Sequence, residues 1–217
     1  LITGRSLRAV LFDLDGTLVD TEGLWWQVAG AVAARHGHRL TGADAPDVLG
    51  HPVEHTAAHL HRLTGSSEAD IGAELHRRFA DVVARHLVPR PGALHLLDLV
   101  GAAGLRTALV SASPREVVDL AVGGLLGTRR FTVSVAAGET PRGKPFPDPY
   151  LAAVRALGLS PGECVAVEDT EVGVASAEAA GIRVLVVPSG VPIEAAPGRL
   201  VRSSLVDVGL TDLALNF

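Results

Sequence analysis

Seven side chains in this sequence could combine acid, hydroxyl and ammonium chemistry: Asp13 and Asp15, Ser111 and Ser113, Lys144, and Glu168 and Asp169. Four carboxylates facing one another across a small space cannot all stay ionised without a cation. A hard divalent ion with oxygen ligands, Mg2+ foremost, resolves that repulsion. The Ser111 hydroxyl, backbone N–H groups from Ala112 into the following helix start, and the Lys144 ammonium are donors of the kind that hold phosphate oxygens. Once its charge is offset, a phosphate can be approached by a carboxylate. One aspartate can then attack phosphorus while the other protonates the leaving oxygen and later activates water. Of nineteen basic residues only Lys144 is lysine. A site that needs a compact ammonium on a flexible stem would keep such a residue, and chance alone would also leave one.

These groups must be placed by the elements that precede them. Arg8–Asp13 is a short apolar run ending in acid, followed by a turn at Asp15-Gly16-Thr17. Similar runs are Arg106–Val110 before Ser111, Phe131–Ala136, Cys164–Val167 before Glu168, and Arg183–Val187 before Pro188. Each is apolar on both parities, as strands covered on both faces should be. Helical stretches at Glu116–Leu126, Asp148–Leu157 and Val172–Ala180 alternate with them. The pattern predicts an α/β fold, a doubly wound, Rossmann-like parallel sheet whose ligands gather beyond the carboxyl ends of the strands.

Residues 21–88 break that rhythm. They show helical periodicity, no comparable strand run, most of the histidines, and the pair Trp25 and Trp26. The predicted organisation is therefore a core domain formed by 1–20 and 89–217, with an all-helical domain, 21–88, inserted after the first strand. Pro89-Arg90-Pro91-Gly92 marks the return to the core as a stiff turn. His51, His55 and His59 recur every four residues, a spacing that invites a zinc reading. Pro52 opens that helix and leaves His51 outside it, which favours a solvated or loop face instead. Ser113 reads as an N-cap ahead of Pro114; Thr17 and Thr170 read as turn or loop hydrogen-bonding residues.

The chain has 217 residues, 47% of them apolar, and a net charge of −5. It can bury a real core. It offers no broad basic surface for a phosphate backbone, so no nucleic-acid partner is expected; a small phosphorylated metabolite remains possible. Its apolar runs are far shorter than a bilayer span, so neither membrane insertion nor a location outside the cytoplasm is expected. Cys164 lies in an apolar run and is read as a small buried hydrophobe. The chain contains no methionine, so it is expected to be less than the complete translation product. A monomer and a small homo-oligomer are both open.

Asp13-Leu14-Asp15-Gly16-Thr17, Val110-Ser111-Ala112-Ser113, Gly143-Lys144-Pro145 with Pro147-Asp148-Pro149, and Val167-Glu168-Asp169-Thr170 resemble, in order, the four motifs of the haloacid dehalogenase superfamily. The helical insertion resembles the cap of the branch containing β-phosphoglucomutases, phosphoglycolate phosphatases and small sugar phosphatases. The resemblance implies Asp13 as nucleophile and Asp15 as general acid and base. It implies Ser111, Ala112 and Lys144 as phosphate binders, and Mg2+ held by Asp13, the Asp15 backbone carbonyl and Asp169, with Glu168 in the same shell. It also implies a cap that closes over the strand ends, with Trp25, Gly50 and His51 touching substrate. Asp15 argues against dehalogenation, which needs no proton for an oxygen leaving group. A cap without lysine excludes phosphonatase chemistry. In the mutases a histidine stands ten residues beyond the acid/base aspartate and an arginine three beyond a cap-loop glycine; here those places hold Trp25 and Val53. The expectation is a phosphatase acting on a small phosphomonoester. A sugar phosphomutase is the alternative, and a non-catalytic phosphate-ligand binder is the alternative of another class.

Overall fold

The computed structural model describes residues 7–214; the ends of the predicted core, 1–6 and 215–217, lie outside them. In chain order β1 (Ala9–Phe12) leads into α1 (Glu22–Arg35), α2 (Ala45–Val48), α3 (Val53–Thr64), α4 (Glu68–His86) and α5 (Ala93–Ala102). Then come β2 (Arg106–Val110), α6 (Arg115–Ala121), β3 (Val133–Val135), α7 (Asp148–Ala156) and β4 (Cys164–Glu168). The chain ends with α8 (Glu171–Ala179), β5 (Arg183–Val186), β6 (Arg199–Val201) and α9 (Leu210–Ala214). It forms two compact units, one running to Val19 and resuming at Pro89, the other Asp20–Val88.

The first unit is an α/β fold built on a six-stranded sheet of order β3-β2-β1-β4-β5-β6, with every pairing parallel. β1 and β4 are buried along their whole length, which is why their sequences are apolar at consecutive positions rather than alternate ones. One face of the sheet packs Leu11, Val110, Ala166 and Val184 against Tyr150, Val154, Val174 and Ala177 of α7 and α8. The chain winds from β1 outward to β3, then returns to β4 and winds the other way. The switch point therefore lies between β1 and β4, where an open parallel sheet forms its ligand crevice. Register fixes what meets there: Phe12 pairs with Val167, and the Asp13 N–H donates to the Val167 carbonyl at 3.0 Å.

The structure departs from the sequence reading at three places. β3 begins at Val133 rather than Phe131, because the chain joins its neighbour only at Thr132, whose N–H donates to Thr107 O at 2.9 Å. The helix expected over Glu116–Leu126 is α-helical only to Ala121 and widens to a π turn over Val122–Leu126, a stretch holding the consecutive glycines Gly123 and Gly124. β6 was unforeseen; a three-residue, half-buried edge strand containing an arginine carries no apolar run.

In the helical unit α4 presents Ile71, Leu75, Phe79 and Val83 at four-residue intervals. They form one buried stripe, as helical periodicity requires. Asp44 ends the loop before α2 and is buried. Its Oδ2 accepts the Thr41 N–H at 2.8 Å and the Thr41 hydroxyl at 3.0 Å, while Oδ1 lies 3.1 Å from His59 Nε2. The Thr41 backbone donor, followed by His59, holds the Asp44 carboxyl down at about 2. Because folding lowers this group below its ordinary 3.8, its contribution is present above that pH and is lost as pH falls from 3.8 towards 2. Asp44→Ala is expected to destabilise the protein by about 1–3 kcal/mol at pH 7. The difference from wild type should shrink across that acid window in urea melts followed by circular dichroism.

Candidate active site

The end of β1 and the end of β4 deliver Asp13 and Glu168 side by side, and one ammonium joins them. Lys144, from the loop between β3 and α7, places Nζ 2.6 Å from Asp13 Oδ1 and 2.6 Å from Glu168 Oε1. The lysine side chain is 5% exposed and that of Glu168 is 1% exposed. At such depth the attraction is barely screened, but removing the charges from water is expensive. Burial alone would depress the Lys144 ammonium; the charges of Asp13 and Glu168 outweigh it and hold the group protonated above its usual range. Burial also lifts Glu168 to about 7, and the neighbouring Asp13 charge adds to the shift. Asp169 is likewise raised well above the carboxylate range, first by burial and then by Asp13 and Glu168.

Asp13, Glu168 and Asp169 each offer an oxygen within 4.8 Å of the others, the one such grouping of ligand-type side chains among the described residues. Asp13 Oδ2 is buried with no hydrogen-bond partner. An orphaned carboxylate oxygen beside two further acids fits a hard divalent cation. Asp169 is held from two sides, by the Thr17 hydroxyl at 3.2 Å on Oδ1 and the Ser189 hydroxyl at 2.5 Å on Oδ2.

Asp15 has different company. Its Oδ2 accepts the Ser111 hydroxyl at 3.0 Å and the Ser113 hydroxyl at 2.8 Å, and the Ser113 N–H donates to Ser111 Oγ at 2.8 Å. Ser113 is thus no N-cap; Pro114 holds that position, with no side-chain cap, and the Ser113 hydroxyl turns to Asp15. Ala112 lies exposed between the two serines. Thr170 caps α8 by accepting the Gly173 N–H at 3.1 Å.

Three contributors carried no sequence signal as site residues. Tyr150 looked like one apolar position of α7, yet its hydroxyl donates to Glu168 Oε1 at 2.6 Å. Ser189 lies in the unpatterned stretch after β5. Gly173 looked like an ordinary helical residue, but a Cβ there would lie 2.0 Å from Glu168 Oε2. The feature that could have flagged it is a glycine within the first turn after an acid pair.

The remaining expected residues lie in the helical unit. Trp25 is buried there, with its indole N–H on Val48 O at 2.9 Å and its ring edge-on to Phe79 at 5.1 Å between centroids. Trp26 is half-buried, Gly50 is exposed in the turn after α2, and His51 stacks on His55 at 4.0 Å. His55 and His59 face Asp47 and Asp44; the spacing that suggested zinc instead sets histidines against carboxylates. Cys164 is buried and its thiol is raised to about 11 by burial, consistent with a packing role. Among the described residues, no helix is long and apolar enough to cross a membrane.

A family model of haloacid dehalogenase-like hydrolases matches residues 7–181. The chain belongs to that family. It is 35% identical over 206 residues to Protein CbbY of Rhodobacter capsulatus, covering 85% of this chain and 86% of that one. It is 38% identical over 185 residues to Hexitol phosphatase A of Escherichia coli (strain K12), covering 83% and 82%. The fold matches a CbbY variant from Rhodobacter sphaeroides, solved in complex with xylulose-(1,5)bisphosphate, with TM-score 0.85, 27% identity and coverage of 96% and 100%. With phosphatases among its relatives, this member of the family is a phosphohydrolase.

Gly173→Ala tests the packing at Glu168. Helix propensity alone favours alanine by about 1 kcal/mol, but the added methyl must displace a carboxylate that holds Lys144. Turnover of a phosphomonoester is expected to fall on the order of a hundredfold, with the far-ultraviolet circular dichroism unchanged.

Proposed function

We propose that the protein is a Mg2+-dependent phosphatase of small sugar phosphates or similar phosphomonoesters, acting through a phosphorylated Asp13. The observation that carries the reading is the contrast between the two aspartates. Asp13 has one oxygen fixed by a buried ammonium and lies beside two further carboxylates, whereas Asp15 has one oxygen on two neutral hydroxyls. Such a pair divides the work of nucleophile and proton carrier.

In this reading Lys144, Ser111 and the Ala112 backbone N–H orient the phosphate, and Lys144 keeps Asp13 in line with phosphorus. Asp13 forms an oxygen–phosphorus bond as the ester oxygen–phosphorus bond breaks, and Asp15 gives its proton to the departing alkoxide. A water then loses a proton to Asp15 and attacks phosphorus, which releases inorganic phosphate and restores the Asp13 carboxylate. Asp13, Asp169 and the Asp15 backbone carbonyl, with Glu168 beside them, would hold the cation. When bound, it supplies positive charge that offsets the crowded carboxylates and the phosphate.

The names of the relatives support the substrate class: a hexitol phosphatase, and a CbbY solved with a sugar bisphosphate. Against a mutase stands Trp25, whose indole is engaged in packing at the place where the mutases carry a histidine. Against a mere binder stands Asp15, a second carboxylate for which ligand capture has no use.

Incubation with Mg2+ and a panel of phosphorylated sugars and small acids tests this, with phosphate release and sugar-phosphate isomers measured together. The panel includes β-glucose 1-phosphate with a trace of the 1,6-bisphosphate. The expected result is free phosphate, abolished by EDTA and by Asp13→Asn. Isomerisation without net release would make the protein a mutase, and turnover retained in Asp13→Asn would overturn the covalent scheme.

A further inference from the structure

Asp169 is held by an arrangement to which the four motifs contribute Gly16 and Thr17 but not Ser189. Its carboxylate accepts the Thr17 and Ser189 hydroxyls and leaves no room for a side chain at Gly16. The backbone approach is close enough that a Cβ on Gly16, at φ +80, would lie 2.0 Å from Asp169 Oδ2 and 2.9 Å from Ser189 Oγ. A carboxylate rotates freely about its last torsion unless its partners stop it. Of its two hydroxyl partners, Thr17 at 3.2 Å is long for an O–H···O bond, whereas Ser189 at 2.5 Å is short. Ser189 comes from the loop after β5, beyond the residues matched by the family model, which end at 181.

We infer that Ser189 is a positioning residue for the divalent cation, holding Asp169 Oδ2 so that the carboxylate meets the ion at a fixed angle. Each carboxylate oxygen has a second lone pair, so accepting the serine hydroxyl leaves Asp169 able to ligate. The hydroxyl donates to a carboxylate of the cluster read as the cation site. Its removal should therefore weaken metal binding while leaving the chemistry intact once metal saturates. The inference rests on the divalent-cation reading of the Asp13, Glu168 and Asp169 cluster.

The test is calorimetric titration of Mg2+ into wild type, Ser189→Ala and Ser189→Thr, with the thermal midpoint of each measured in EDTA. Ser189→Ala is expected to bind Mg2+ about tenfold more weakly, with kcat at saturating Mg2+ and the metal-free midpoint unchanged. Ser189→Thr, which keeps the hydroxyl, is expected to restore the wild-type affinity. Equal affinity in wild type and Ser189→Ala would overturn the inference while leaving the metal reading intact. Equal loss in both variants together with a lower metal-free midpoint would make Ser189 a packing residue of its loop, and would overturn it as well. A wild type that takes up no Mg2+ would remove the metal reading itself, and the inference with it.

Discussion

The ammonium of Lys144, shared at 2.6 Å by Asp13 and Glu168, is the interaction on which the rest of the site depends. It spans the switch point of the sheet, tying the end of β1 to the end of β4, and reaches there from a loop beyond β3. Buried ion pairs of this kind are poor devices for stability, since desolvation commonly equals or exceeds the attraction. Three acids around one ammonium leave the charge uncompensated; burial raises the Glu168 and Asp169 carboxyls, and the neighbouring acids raise them further. A fold that keeps such a cluster buried gains little from it except chemistry.

The surroundings restrain rather than neutralise this cluster. Tyr150 gives Glu168 a second donor at the oxygen that Lys144 already holds, so that oxygen is fixed from two sides. Gly173 lets α8 start directly against the same carboxylate, and Gly16 brings the turn after β1 against Asp169. Substituents at two backbone positions are thus excluded by the adjacent carboxylates Glu168 and Asp169 at the end of β4. Asp15 has its Oδ2 on Ser111 and Ser113 rather than on the partner that Asp13 holds, the difference on which the proposed division of roles between the two aspartates rests.

The core was legible in the sequence because β1, β2 and β4 are apolar at consecutive positions and give way to Asp13, Ser111 and the acid pair Glu168-Asp169. The run from Ala9 to Phe12 announces β1, and Asp13 follows wherever that strand stops. Asp13, Glu168 and Asp169 could be named for the same reason, since residue type and strand end coincide, and Lys144 because it is the single lysine of the chain. Tyr150 and Ser189 could not be, because their roles rest on long-range contacts, 18 and 20 residues from the acids they bind. Tyr150 satisfies the apolar stripe of α7 whether or not its hydroxyl finds a partner. β6 escaped notice since three residues at a sheet edge need no hydrophobic pattern. In the helical unit, histidine spacing alone could not tell a metal site from the carboxylate pairing that is found, because both place imidazoles on one helical face.

The central claim is that Asp13 becomes phosphorylated. The most direct measurement mixes enzyme with excess substrate and Mg2+, quenches in acid within the first turnovers, and examines the peptide containing Asp13 by mass spectrometry. The account predicts a transient fraction of that peptide heavier by one phosphoryl group, located on Asp13 and absent when substrate is omitted. Steady release of inorganic phosphate with no such adduct at any quench time, under conditions that preserve acyl phosphates, would contradict it and point to direct attack by water.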